Sequence, residues 1–218
     1  MNSDLSSSAR HAVARALGNG ALRLHIQLTP EQLSAFETYV TTLLFWRARL
    51  SLTGASTAAD VVRSHILDSL AVVQHIAIGS KLMDLGSGAG FPGVPLAIVC
   101  PHASITLVES RRKRANFLRE VVRRCGLANA SVTEGRVEDL PPQVAGAFDL
   151  VVSRALWSVP DFLRIASRFL RSGGLLIAMK GPRGLDEAIS APGFWAPETI
   201  TYNLEGGIPR MLVVYRKH

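Results

Sequence analysis

The stretch Asp84-Leu85-Gly86-Ser87-Gly88-Ala89-Gly90-Phe91-Pro92-Gly93 puts one carboxylate and four glycines into ten positions. Gly86, Gly88 and Gly90 make a tight turn with no Cβ atoms in the way, so a ligand can approach the backbone. Asp84 just before the turn can hold a cofactor's ammonium group or order the loop. Glu109, one structural unit later, can accept hydrogen bonds from both hydroxyls of a ribose. Gly135-Arg136-Val137-Glu138-Asp139 combines an apolar residue with acids, a pattern that can flank an adenine: Val137 on the ring face, Glu138 or its backbone on the polar edge. Arg154 and Lys180 each end an apolar run and can meet an anion or a base oxygen. These types at these spacings suit the binding of an adenosine-containing cofactor and the transfer of a group from it.

The elements that must position them read as alternating strands and helices. Lys81-Leu82-Met83 is a short buried strand into the turn. Val94–Val99 is a helix, with Pro92 and Pro95 tolerated near its first turn. Ile105–Val108 is a strand ending in Glu109, and Arg111–Cys125 is a basic helix with Ala115, Leu118, Val121, Val122 and Cys125 inward. Ser131–Thr133 and Phe148–Val152 are strands, the second ending in Ser153-Arg154. A helix over Val159–Leu170, stopped by Gly173-Gly174, precedes the strand Leu175–Met179, which ends in Lys180-Gly181. Strands near Thr199–Asn203 and Met211–Tyr215, with Gly206-Gly207 and Pro209 between them, form a closing hairpin. Such alternation predicts a doubly wound, mostly parallel sheet with helices on both faces. Ligands in these sheets sit outside the carboxyl ends of the strands.

Before the sheet, Thr29-Pro30-Glu31-Gln32 is a helix start with Thr29 as N-cap, Pro30 at the first position and Gln32 completing a capping box. Leu33, Phe36, Val40, Leu43 and Leu44 share one face of a helix running to Leu50. Arg47 and Arg49 in its last turn suit the negative end of the helix dipole or a phosphate. A second helical stretch covers Asp60–Ile78, broken near His65, which is either packed and hydrogen-bonded or functional. The organisation expected is a mobile polar leader over 1–28, a helical layer over 29–79 and a catalytic domain over 80–218, the last two forming one unit.

Gly88-Ala89-Gly90-Phe91-Pro92-Gly93 also satisfies the dinucleotide pattern, so the turn alone admits a nicotinamide-dependent oxidoreductase. Asp84 before the turn, the spacing Gly86-x-Gly88-x-Gly90, the terminal hairpin and the lack of a second domain for a hydride acceptor favour S-adenosylmethionine and a Rossmann-like methyltransferase sheet with a terminal antiparallel strand. A non-catalytic RNA-binding module on the same fold, and a methyltransferase of small molecules or proteins, are the other readings. The chain of 218 residues carries 24 Lys and Arg against 17 Asp and Glu, a net charge of +7. That balance favours a polyanionic partner, nucleic acid first. Arg111, Arg112, Lys113 and Arg114 open the basic helix beside Glu109, where they can track phosphates at the cofactor-side rim. Cys100 and Cys125 form no Cys-x-x-Cys pair, so the reading is reduced thiols, no metal and a cytoplasmic location. No apolar run is long enough to span a membrane.

The chain resembles the glucose-inhibited division protein B family. The resemblance rests on His65-Ile66-Leu67-Asp68-Ser69-Leu70, Asp84 to Leu96, Glu109-Ser110 with Lys113-Arg114 and Phe117-Leu118, Ser153-Arg154-Ala155, and Ala178-Met179-Lys180-Gly181. It implies methylation of N7 of a guanine in small-subunit ribosomal RNA, free or in the subunit. It also implies cofactor contacts at Gly86, Phe91, Val137, Glu138 and Arg154. Ser51 departs from the family, whose members usually carry asparagine there. Guanine N7 has a lone pair and no hydrogen, so its methylation needs no general base. An arginine bidentate to O6 and N7 would occupy that lone pair. Arg154 is therefore expected on O6 alone, on the cofactor carboxylate or on a phosphate, with a structural ion pair as the alternative. Lys180 is expected on O6 or phosphate, or else in solvent.

Overall fold

A computed structural model describes residues 7–154, 157–181 and 188–218, and side chains within these ranges except at 7–9 and 48. Its centre is one sheet of seven strands: β1 (Lys81–Leu85), β2 (Ser104–Glu109), β3 (Ala130–Glu134), β4 (Phe148–Arg154), β5 (Leu170–Lys180), β6 (Glu198–Leu204) and β7 (Ile208–Arg216). The spatial order is β3-β2-β1-β4-β5-β7-β6. Strands β1 to β5 are parallel, and β7 runs antiparallel to both β5 and β6. The order reverses between β1 and β4, so the crevice at the carboxyl ends of these two strands is the place for a ligand.

Successive strand residues point to opposite faces, and the chain supplies an apolar residue to both. Leu82, Ile105, Leu107, Leu150, Val152 and Ile177 pack on one side. There they meet helices α1 (Ser7–Arg23), α2 (Pro30–Leu50), α5 (Gly93–Val99) and α6 (Arg112–Arg124). Met83, Val108, Val151, Leu176, Ala178 and Val213 pack on the other side against α7 (Val159–Ala166). Two short helices, α3 (Ala58–Val61) and α4 (Leu67–Leu70), are joined by a single π-turn over Val62–Ile66. The capping box at the start of α2 forms as its sequence predicts: Gln32 N donates to Thr29 Oγ1 and Thr29 N to Gln32 Oε1.

Four details differ from expectation. The leader expected over 1–28 contains α1, whose Val13, Leu17 and Ala21 are buried in the core. Three apolar residues at i, i+4 and i+8 give this otherwise polar segment a narrow inward stripe, enough to dock it. The helix expected to run to Leu170 ends at Ala166; a 3-10 turn follows, and Gly173-Gly174 lie inside β5. They sit where the β4–β5 register shifts, a bulge rather than a helix stop. Pro209 lies inside β7 rather than between the last two strands. β5 pairing on β7 begins only at Met211, so the missing N–H faces no central strand. Of the residues that carried the family resemblance, Ala155 lies outside those described.

Candidate functional site

The glycine turn is held from three directions. On one side, Asp84 is fully buried in β1, and its Oδ2 accepts from Gly93 N at 3.0 Å, tying the strand to the start of α5. From α2, Tyr39 donates its hydroxyl to the Ala89 carbonyl at 2.7 Å. Glu109 at the end of β2 accepts from Gly88 N at 2.9 Å and Arg111 N at 2.7 Å. The turn tolerates no larger residue at two points. Gly90 has φ of 101°, and a Cβ there would lie 2.9 Å from the Tyr39 hydroxyl. At Gly93 a Cβ would come within 2.2 Å of a Leu107 methyl and 2.7 Å of Asp84 Oδ2.

Next to this turn, a cleft of about 180 Å³ is lined by Gly86, Val108, Ser110, Gly135, Arg136, Val137, Glu138 and Trp157. Of the expected cofactor contacts it brings together Gly86, Val137 and Glu138; Asp84, Gly88, Phe91, Glu109 and Arg154 do not line it. Val137 and Glu138 stand on a 3-10 turn over Val137–Asp139. Arg168 fixes that turn, donating to the Val137 carbonyl at 2.5 Å and the Glu138 carbonyl at 3.3 Å. Asp84 keeps one buried carboxylate oxygen, Oδ1, with no hydrogen-bond partner among the described residues. Burial pushes the Asp84 carboxyl up to about 7, against the bond from Gly93 N and the Arg154 charge. An orphaned buried acceptor beside a glycine turn fits a cationic group brought by a cofactor.

A second pocket, about 300 Å³, opens at the ends of β4 and β5 under the helical layer. Ser64, His65, Asp68, Arg154, Met179, Lys180, Gly181 and Arg210 line it. Arg154 is tied to the layer above: its Nη1 donates to Asp68 Oδ2 at 3.1 Å and to the Ser64 carbonyl at 3.4 Å, and its Nη2 meets His65 Nδ1 at 2.9 Å. Its guanidinium also lies over the Phe91 ring, 5.1 Å from the centroid. The structural ion pair is thus formed, with Asp68 as partner. Lys180 is half-buried rather than free in solvent, and its Nζ donates to the Trp157 carbonyl. Asp68 also accepts from the Tyr202 hydroxyl at 2.7 Å and faces Arg210 at 3.7 Å, so the terminal hairpin joins the same network.

Of the residues expected to meet RNA, Arg49, Arg111, Arg112 and Lys113 are exposed. Arg114 donates to the Ser51 carbonyl at 3.1 Å and Arg47 to the Ala55 carbonyl at 2.7 Å, so both brace the loop after α2. His65 is held inward between Thr53, Phe91 and Arg154. Burial, with the Arg154 charge, lowers it to about 4. Asp68, Tyr202, Arg210, Tyr39, Trp157 and Arg168 are neighbours of the turn and the pockets that the sequence alone did not single out. Only Asp68 carried a signal, three residues after His65 in a segment read for its histidine. Among the described residues, no group of three His, Cys, Asp or Glu side chains is placed to hold a metal ion, and no helix is long and apolar enough to cross a membrane.

Comparisons with known proteins identify the family. The family model GidB, rRNA small subunit methyltransferase G, matches residues 32–200. A ribosomal RNA small subunit methyltransferase G from Stenotrophomonas maltophilia is 42% identical over 75% of this chain and 76% of its own length. Another from Aromatoleum aromaticum is 35% identical over 94% of this chain and 99% of its own. Among solved structures, a predicted O-methyltransferase from Agrobacterium tumefaciens is similar at 26% identity, with a TM-score of 0.57 over 70% of this chain and 80% of that one. Nothing in these matches supports a nicotinamide enzyme. The chain belongs to the GidB family, the small-subunit ribosomal RNA methyltransferases G.

Proposed function

We propose that this methyltransferase takes its methyl group from S-adenosylmethionine and delivers it to N7 of a guanine in small-subunit ribosomal RNA, in the cytoplasm. The observation that carries the reading is the pair of pockets at the carboxyl ends of the parallel strands, one beside the glycine turn and one around Arg154. When bound, S-adenosylmethionine supplies a methyl group already activated on a sulfonium. The chain's work is then to bind, align and exclude water, and alignment alone can supply much of the rate. Gly86, Gly88 and Phe91 shape the wall of the turn. Asp84 Oδ1 is available to the cofactor ammonium, and Val137 and Glu138 flank the adenine. Glu109 already spends one lone pair of each oxygen on backbone N–H groups, which aims its remaining pairs at the ribose.

Arg154 and Lys180 act on the acceptor side, on guanine O6 or a flanking phosphate, leaving the N7 lone pair free. Both ring nitrogens of His65 are engaged, so it is not set to take a proton, and N7 has none to give. Arg49, Arg111, Arg112 and Lys113 supply a phosphate track. In A-form RNA the groove that holds N7 is deep and narrow, so the target base must be unpaired or exposed.

The test incubates small subunits and ribosomal RNA from a strain lacking the enzyme with labelled S-adenosylmethionine, then cleaves the RNA at N7-methylguanine with aniline chemistry. Label in RNA with cleavage at one guanine is the expected result. Label without cleavage rules out N7, and no label in either substrate rules out the RNA acceptor.

A further inference from the structure

Arg154 lines the second pocket, and its orientation is set by residues outside the sheet. Arginine can only donate hydrogen bonds. The 2.9 Å contact between Arg154 Nη2 and His65 Nδ1 therefore makes Nδ1 an acceptor, and the imidazole proton sits on Nε2. Nε2 lies 2.7 Å from Thr53 Oγ1, which also accepts from Ala55 N at 3.1 Å. The tautomer is thus fixed from both ends. His65 stands in the π-turn, closed by Leu67 N donating to Val62 O. Three residues on, Asp68 takes the other end of the same guanidinium. π-turns of a single turn are concentrated at functional sites.

We propose that neutral His65 is a positioning residue for Arg154 in methyl transfer, acting with Asp68 to hold the guanidinium in one plane against Phe91. Among the described residues, three of the five N–H groups of Arg154 are engaged, by Asp68, Ser64 and His65. The other two are left for a ligand, and the clamp decides where they point. Phe91 contacts both partners, its ring centroid 4.8 Å from that of His65 at a tilt of 38° and 5.1 Å from the Arg154 guanidinium carbon. The glycine turn and the clamp are therefore in register. This inference rests on the proposed role of Arg154.

Asparagine places its carbonyl oxygen near the position of Nδ1, whereas glutamine places its amide near Nε2. His65→Asn keeps the acceptor for Arg154 and drops the bond to Thr53; His65→Gln does the reverse. Single-turnover methylation is measured at saturating cofactor, with KM for RNA and thermal unfolding recorded alongside. His65→Gln is expected to slow the methyl step about 10- to 100-fold, the scale of a misplaced group near the reacting atoms. KM for RNA should stay within about threefold, and His65→Asn should recover most of the rate. In an Arg154→Lys background, His65→Gln should change the rate by less than about twofold, because the partner is already displaced.

Equal rates for the two folded His65 variants would overturn the proposal, since a packing role does not distinguish the two ring nitrogens. So would a full-sized effect of His65→Gln in the Arg154→Lys background. If Arg154→Ala itself turns over at the wild-type rate, the role of Arg154 fails. If Arg154→Ala is inactive and His65→Gln is normal, only the positioning role fails.

Discussion

Asp84→Asn separates the two roles open to the buried carboxylate. Burial lifts its carboxyl from 3.8 to about 7 in the folded chain. The folded state therefore holds a proton that the unfolded chain loses above pH 4. Stability from this group is fully present below pH 3.8 and is lost as pH rises through 7. A shift of about three pKa units at 1.36 kcal/mol each amounts to about 4 kcal/mol. Asparagine cannot ionise, and its carbonyl can still accept from Gly93 N. Urea unfolding of both proteins from pH 4 to pH 8 should show the difference in stability moving toward the variant by about 4 kcal/mol across that range. His65, held down to about 4, has the opposite dependence: its contribution is present above 6.5 and lost as pH falls toward 4. It is common to both proteins and cancels. Calorimetry with S-adenosylhomocysteine at pH 8 completes the test. A carboxylate that meets the ligand's ammonium predicts about 10- to 100-fold weaker binding by the more stable variant, the worth of a charge-assisted bond. Parallel unfolding curves, differing by a constant, would refute the buried-ionisation argument. A stabilised variant with unchanged affinity would leave Asp84 as a loop anchor only.

Three other outcomes follow from the same geometry. Gly93→Ala forces a methyl against Leu107 and Asp84 Oδ2, so it should cost about 1–3 kcal/mol in urea unfolding and weaken cofactor binding measured by calorimetry. Ser51→Asn should raise stability by a few tenths to about 1 kcal/mol in thermal unfolding, because Ser51 caps α2 at φ 47° and ψ 51° and asparagine suits that left-handed region better. Replacing Arg111, Arg112 and Lys113 by glutamine should flatten the dependence of RNA affinity on salt by about 2–3 log units per log unit, at about 0.7–0.9 for each phosphate that is no longer neutralised. An unchanged slope would remove α6 from the RNA path.

The sheet was legible because its strands are short apolar runs whose alternate residues must serve two helical layers. The places of the proposed cofactor-side residues were legible for a related reason: Asp84, Glu109 and Arg154 lie at or near the ends of β1, β2 and β4 and Val137 just beyond β3, so they are located as soon as those strands are. Contacts between distant segments were not. Tyr39 reaches Ala89 from α2, Tyr202 reaches Asp68 from β6, and Arg168 reaches the Val137 turn from beyond α7. Nothing local in sequence distinguishes these side chains from ordinary core or surface residues. The helix at 7–23 was missed because a stripe of three small or medium apolar residues in a polar segment gives little periodic signal. Ser51 shows the reverse case: its departure from the family's asparagine gained a physical meaning once the left-handed cap was visible.

The helical layer before the sheet holds Arg154 as well as covering the core. The sheet alone delivers Arg154 as an arginine at a strand end, with many rotamers and a hydrated charge. His65, Ser64 and Asp68 convert it into a fixed donor array, and Asp68 is itself held by Tyr202 from the far edge. A buried carboxylate with an arginine and a tyrosine is costly to strip of any one partner. The clamp therefore couples three segments far apart in the chain, residues 64–68, 154 and 202. Tyr39 adds a fourth through the glycine turn. A ligand at the turn and a base beside Arg154 thus meet a site whose two halves share one support, Phe91. Binding at either half should tighten the other by reducing what remains to be ordered. Order parameters for the Phe91 and Tyr39 rings, measured with and without S-adenosylhomocysteine, would register that coupling without any RNA present.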